Sequence, residues 1–147
     1  MAIRFYGATG AYGFLSNFAP YPIYDEFDRR WKTVEHYFQA HKFEEGTEAW
    51  LSCRNAASPG QAKRLGREGH PLRDDWEEVK ELVMLKALRL KFTNTKVLRD
   101  PLLATGTTEL IEAAPRDFYW GCGRDGTGKN RLGVLLMQVR SELREAL

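Results

Sequence analysis

Within W-K-T-V-E-H-Y-F-Q-A-H-K-F, residues 31–43, a carboxylate, an amide and an amine recur at helical spacing. At about 100° per residue, Glu35, Phe38, Gln39 and Lys42 fall on one stripe. Val34, Tyr37, Ala40 and Phe43 are scattered round the rest of the circumference, so the helix is expected to be buried on most sides. Charges in such a setting are costly unless paired, which makes the stripe a candidate site for acid–base chemistry. The alternative is a Glu35–Lys42 salt bridge closing over a core helix, and spacing alone leaves both open.

A second group lies towards the C-terminus. Asp117-Phe118-Tyr119-Trp120-Gly121 sets one carboxylate before three aromatics, a pattern that suits a stacking wall beside an acid/base group. It suits equally a core strand edge with a capping Asp. The following segment, G-C-G-R-D-G-T-G-K-N from Gly121 to Asn130, matches both G-x-G-x-x-G and G-x-x-x-x-G-K. The dinucleotide fingerprint needs a buried strand before it and a βαβ unit after it, and neither is expected here. The phosphate-loop pattern fails at Asn130, which stands where a Ser or Thr should hold magnesium. What survives is a donor-rich loop entering a helix, either a cradle for a phosphate or sugar or a plain connection. Asn17, set beside Phe18 in F-L-S-N-F, suits either satisfying backbone groups or reading a ribose hydroxyl or base edge. Arg67 and Arg73 are possible phosphate clamps, or surface ion pairs.

The elements that must position these groups can be read from local signals. Thr33 is an N-cap for the first helix, and Ser58-Pro59 places Ser at N-cap and Pro at N1 of another. The clearest helix runs from Asp75 to Phe92, with Trp76, Val79, Leu82, Val83, Lys86, Ala87 and Leu90 at helical spacing. A shorter helix is expected over about Thr95 to Ala104, and a closing amphipathic one after Asn130 at its cap. Residues 2–6 and 22–31 carry short β-like patterns. The fold class is α+β, a single, mostly helical domain over residues 1–147 with a small β-sheet.

The chain has 147 residues, 43% of them hydrophobic and 29% charged, which fits one ordinary globular core. Its net charge of +2 is too small to argue for bulk nucleic-acid binding. Eighteen aromatics serve packing, a planar-ligand platform, or both. The N-terminus M-A-I-R-F-Y-G lacks a basic start followed by an apolar stretch, and no apolar run reaches a membrane span. No secretory signal and no membrane association are therefore expected. Cys53 and Cys122 suggest neither a disulfide framework nor metal spacing, so a cytoplasmic location, no metal and no cofactor are expected.

Taken together and in order, six segments resemble the NADAR family, which takes in the YbiA-like N-glycosidases acting on riboflavin biosynthesis intermediates. They are W-K-T-V-E-H-Y-F-Q-A-H-K-F, A-S-P-G-Q-A-K-R-L-G-R, L-R-D-D-W, V-M-L-K-A-L-R-L-K-F, L-L-A-T-G and D-F-Y-W-G-C-G-R-D-G-T-G-K-N-R-L-G-V-L-L-M-Q-V-R. The likeness runs from Phe14 to Leu143. It implies an enzyme that cleaves between a ribose C1′ and an exocyclic amino nitrogen. The implied substrates are phosphoribosylamino-pyrimidine intermediates, or guanine carrying ADP-ribose, alone or within a nucleic acid.

Carried onto this chain, the resemblance puts catalysis on Lys42, Glu35 and Asp117. It puts substrate binding on Asn17, Arg67 and Trp120, to which the residue types add Phe18, Gly121 and Asn130. A Schiff base between Lys42 and C1′ suits these residues if burial keeps the amine partly neutral. An oxocarbenium-like route between two carboxylates is the other chemistry. A non-catalytic module that binds ADP-ribose or a related nucleotide is the alternative function. Oligomeric state is not legible.

Overall fold

The computed structural model describes residues 1–147, which fall into two compact units: Met1–Ala19 with Lys91–Leu147, and Pro20–Leu90. Elements run β1 (Ala2–Phe5), β2 (Ile23–Tyr24), β3 (Arg30–Trp31), α1 (Val34–Ala40), α2 (Glu48–Arg54), α3 (Pro59–Leu65), α4 (Trp76–Thr93), α5 (Lys96–Ala104), β4 (Glu109–Glu112) and α6 (Arg131–Glu145). The expected α+β class, mostly helical with little sheet, is what the chain adopts. No helix is long and apolar enough to cross a membrane.

In the Pro20–Leu90 unit, β2 and β3 form a two-residue antiparallel ladder, Ile23 opposite Trp31 and Tyr24 opposite Arg30. Asp25 organises the connection. Its carboxylate accepts from the backbone N–H groups of Phe27 and Arg29 and from the Arg29 guanidinium and the Trp31 indole. Burial alone would raise this carboxyl, but those four donors outweigh it and hold it at about 2.

Trp31 is fully buried, edge-on to Tyr37 at 5.2 Å and to Trp50 at 5.4 Å. Helices α1, α2 and α3 pack on one another around it. Each starts at a threonine or serine whose hydroxyl accepts a first-turn N–H: Thr33 from His36, Thr47 from Trp50, Ser58 from Gln61. Such caps contribute about 1 kcal/mol each.

In the other unit, β1 and β4 pair in parallel, from Ala2 opposite Glu109 to Phe5 opposite Glu112. Helix α6 lies against β4 so closely that a Cβ on Gly133 would stand 2.1 Å from the Leu110 carbonyl oxygen. Only glycine permits that approach. Phe5, Leu15, Phe92, Leu98, Leu102, Leu110, Leu132, Leu136 and Val139 form the unit's apolar interior.

Several sequence expectations need correction. The first helix ends at Ala40, so Lys42 lies beyond it. Elements α2 and β4 carry no signal strong enough to be foreseen. On α4 the buried face is Met84, Leu85, Ala87 and Leu88, whereas Leu82 is 65% exposed. Apolar residues lie on several sides of this helix, and tertiary packing selects the side that carries Met84, Leu85, Ala87 and Leu88. Asn130 precedes α6 in the left-handed region (φ 51°), yet its side chain does not cap the helix.

Candidate active site

All seven residues of α1 are buried, including Glu35, His36 and Gln39. His36 is fully enclosed. Its Nε2 donates to the Ala56 carbonyl (3.0 Å), which leaves Nδ1 to accept from the Thr33 hydroxyl (2.8 Å). Burial lowers its pKa, so it is a neutral fastener and not a proton carrier.

The polar stripe survives the early end of the helix. Glu35 Oε2 accepts from Gln39 Nε2 at 2.6 Å, one turn along. Lys42 sits in a tight turn, its N–H donating to the Gln39 carbonyl (3.3 Å) and its own carbonyl accepting from Arg73 N–H (2.8 Å). Its side chain returns over the Phe38 ring, with Nζ 5.8 Å from the centroid. Phe38 in turn packs against Trp76 at 5.2 Å.

The Lys42 pKa is lowered. Burial is the main cause, Glu35 pulls the other way, and Arg67 and Lys63 lower it further by repulsion. The half-buried amine thus sits close to one carboxylate and two further cations, and more of it is neutral near pH 7 than for an exposed lysine. Arg67, 25 positions beyond Lys42, is thereby brought within the electrostatic reach of the Glu35–Lys42 stripe. Arg67 is exposed beyond the end of α3, whereas Arg73 commits its guanidinium to Asp75 at 2.6 and 3.1 Å and cannot clamp a phosphate as well. A cleft of about 490 Å³ opens nearby, between His41, Phe43 and Trp50 and the carboxylates of Glu44, Glu45, Asp74 and Asp75. Arg73 also lines it, but neither Glu35 nor Lys42 does, and its four carboxylates make it a poor place for a phosphate.

In the unit that contains residues 91–147, Asp117 and Trp120 are neighbours. Asp117 Oδ1 accepts from the N–H groups of Tyr119 (2.9 Å) and Trp120 (2.8 Å), which is the capping arrangement. Tyr119 and Trp120 meet edge to face at 4.9 Å, and both are half-buried.

The glycine loop turns its donors inward. The N–H groups of Cys122, Gly123, Gly126, Gly128, Lys129 and Asn130 all donate to protein carbonyls. Those of Lys129, Arg131 and Leu132 reach the carbonyls of Phe118, Tyr119 and Trp120, so the aromatic triplet closes the N-terminus of α6. Gly121 is buried, and a Cβ there would meet Ala114 Cβ at 2.9 Å. Asn130 stitches the loop to β4, accepting from Glu112 N–H and donating to the Leu110 carbonyl, both at 2.9 Å. The loop is therefore a packed connection and not a phosphate cradle. Gly121 and Asn130, expected to bind substrate, both make backbone hydrogen bonds within the loop and to β4. No group of His, Cys, Asp or Glu gathers as a metal site.

Asn17 is buried and Phe18 half-buried, in a turn braced by Phe18 N–H on Ser16 Oγ (3.1 Å). Sequence reasoning missed what underlies this turn. Lys91 is 2% exposed and donates to the Ser16 carbonyl at 3.0 Å, with Nζ 5.1 Å from the Phe92 ring. Burial alone brings its pKa down to about 7. Its only sequence signal is a lysine directly before a core phenylalanine in L-K-F, which reads as a solvated helix face.

Known proteins are similar to this chain in sequence and fold. Residues 4–144 match the NADAR domain. N-glycosidase YbiA of Escherichia coli K12 is 49% identical over 144 residues, covering 96% of this chain and 88% of the relative. N-glycosidase Npun_R5314 of Nostoc punctiforme is 43% identical over 150 residues, covering 100% and 96%. The chloroplastic riboflavin biosynthesis protein PYRR of Zea mays is 42% identical over 157 residues, which cover 96% of this chain and 25% of that longer protein. The NMR structure of E. coli YbiA superposes with a TM-score of 0.89 at 47% identity, covering 99% of this chain and 86% of that one. A profile match over nearly the whole length, and relatives at this identity named N-glycosidases, lead to one conclusion: the chain belongs to the NADAR domain family and is a glycosidase.

Proposed function

We propose that the enzyme hydrolyses the bond between ribose C1′ and an exocyclic amino nitrogen through a Schiff base on Lys42. The observation that carries this reading is the Lys42 amine, its charged form disfavoured by burial and by Arg67 and Lys63, within the field of the Glu35 carboxylate. A neutral amine is a nucleophile and an ammonium is not.

The steps balance as follows. The N-ribosyl amine opens to an imine at C1′ as the ring oxygen takes up a proton. Lys42 Nζ bonds to C1′, and Glu35 passes the two protons it sheds, one on addition and one as the C1′–N bond breaks, to the exocyclic nitrogen. That nitrogen leaves as a free amine, and Lys42 is joined to C1′ as an imine. Glu35 then takes a proton from water as the water oxygen bonds to C1′. Glu35 returns that proton to Nζ, then carries the new C1′ hydroxyl's proton to Nζ as the C1′–Nζ bond breaks, which releases ribose as an aldehyde that recloses and restores the Lys42 amine.

The substrates proposed are phosphoribosylamino-pyrimidine intermediates and ADP-ribosylated guanine, with Arg67 meeting a phosphate. Asp117 is the alternative acid/base and Trp120 the stacking surface for the leaving base, with Asn17 and Phe18 as further substrate contacts. We also read residues 1–147 as one domain, since the family match runs through both units. The two free, buried cysteines suit a cytoplasmic setting.

The test is release of ribose phosphate from the free pyrimidine intermediate, compared with release of ADP-ribose from a guanine-modified oligonucleotide. Turnover of either, abolished in Lys42→Met, supports the reading. Tight binding of ADP-ribose with no release from either substrate would instead make the chain a binding module.

A further inference from the structure

Gln39 is 4% exposed, and its amide is satisfied on one side only. Nε2 donates to Glu35 Oε2 at 2.6 Å, whereas Oε1 is buried with no hydrogen-bond donor in the protein. Turning the amide over would set two acceptors 2.6 Å apart beside a carboxylate, so the donor must face Glu35. A buried, half-satisfied amide disfavours folding relative to an apolar side chain of the same length. Stability therefore does not explain why an amide stands here.

Gly66 supplies an independent observation. Its backbone is ordinary right-handed helix (φ −66°, ψ −10°), where any residue fits, so conformational freedom does not account for glycine. Space does. A Cβ at position 66 would lie 1.9 Å from Gln39 Oε1 and 2.9 Å from its Cδ. The next contact, the Ala62 carbonyl at 3.4 Å, is tolerable. The missing side chain at 66 makes room for the Gln39 amide and for little else.

We propose that Gln39 is a positioning residue that fixes the Glu35 carboxylate for proton transfer, and that Gly66 is glycine so that Gln39 can lie across it. The inference rests on the proposed role of Glu35. A donor on Oε2 restricts the rotation of the carboxylate and favours its ionised form, the form that takes a proton from Lys42 and later from water. A second-layer amide acting through another residue leaves substrate affinity alone and lowers turnover.

Three variants test it on the full-length enzyme: Gln39→Met, Gly66→Ala, and Gly66→Ala placed in a Gln39→Ala background. Gln39→Met should lower kcat at least tenfold with KM within twofold, while its Tm stays level or rises. Gly66→Ala should lower kcat to a similar degree, and the same substitution beside Gln39→Ala should add less than a twofold loss. A Gln39→Met enzyme with kcat within twofold of the parent overturns the proposal. So does a loss of Tm that accompanies the loss of kcat, or a Gly66→Ala effect that persists undiminished without Gln39. Glu35→Gln, measured in parallel, separates the two levels. An active Glu35→Gln enzyme refutes the role of Glu35 itself. An inactive one beside a fully active Gln39→Met enzyme refutes only Gln39.

Discussion

Replacing Lys91 by Met should change how stability depends on pH, because this lysine is buried without a carboxylate partner. Burial lowers its pKa from 10.5 to about 7, and no opposite charge offsets that cost. In the unfolded chain the same amine stays protonated up to about pH 10.4. Between these values the unfolded chain holds more protons than the folded one, so stability rises with pH. Below pH 7 both forms carry the proton and the dependence levels off. Raising the pH from 7 to about 8.5 should add about 2 kcal/mol through Lys91 alone, by linkage. Methionine keeps the length and apolar stem but leaves the Ser16 carbonyl without its donor, a cost of about 1–3 kcal/mol that does not vary with pH. The gain from removing a buried amine near pH 7 is of similar size or larger, about 4 kcal/mol by the same linkage.

Urea unfolding of both proteins at the two pH values reads the difference directly. The parent should gain on the variant by about 2 kcal/mol as pH rises, through this linkage. The variant should be no less stable than the parent at pH 7. Thiols and tyrosines titrate alike in both proteins and cancel. An unchanged difference between the two pH values would mean that Lys91 titrates as an exposed lysine, and the buried-amine argument would fail.

Other perturbations follow from the same geometry. Asp25→Asn removes a carboxylate held at about 2. Because its folded pKa lies below the unfolded value of about 3.9, its contribution is present above that value and lost as pH falls towards 2. The variant should lose about 2 kcal/mol in urea melts at pH 7, by that shift, and progressively less as acid approaches pH 3. An equal loss at both pH values would assign the effect to packing. Arg67→Gln removes a cation that lowers the Lys42 pKa, so the rise of activity with pH should move to higher pH. Glu35→Gln removes the charge that raises it, so Lys42 should react with an aldehyde probe at lower pH than in the parent. A shift in the opposite direction in either variant would contradict the electrostatic account of Lys42.

Local signals made much of this fold legible. Thr33, Ser58-Pro59 and the run from Trp76 each mark a helix through capping or periodicity, and each helix begins within a residue of its marker. Helix α2, at seven residues, is too short for periodicity to register, and β4 finds its partner at the opposite end of the chain. The stripe Glu35–Gln39–Lys42 was legible as a set of residue types. Its chemistry was not, because the lowered Lys42 pKa depends on burial and on Arg67, 25 positions away. The glycine loop misleads for the complementary reason. Its spacing resembles phosphate-binding patterns, but Gly121, Gly123 and Gly128 answer to close packing against Ala114, Phe118 and Cys122, and Gly126 to a left-handed turn (φ 80°). Lys91 shows the widest gap between sequence and structure. An isolated helix projection treats lysine as solvated, and only Ser16, 75 residues earlier, gives it a buried partner.

The central claim is that Lys42 bonds to the ribose C1′. Borohydride added during turnover of a phosphoribosylamino substrate should reduce that imine to a stable amine. Intact-mass measurement should then show the mass of the ribose moiety added, and peptide mapping should place it on Lys42. Lys42→Met should give neither adduct nor turnover. Turnover in the parent with no trapped adduct, together with substantial activity in Lys42→Met, would contradict the account and leave the closed-ring, two-carboxylate route.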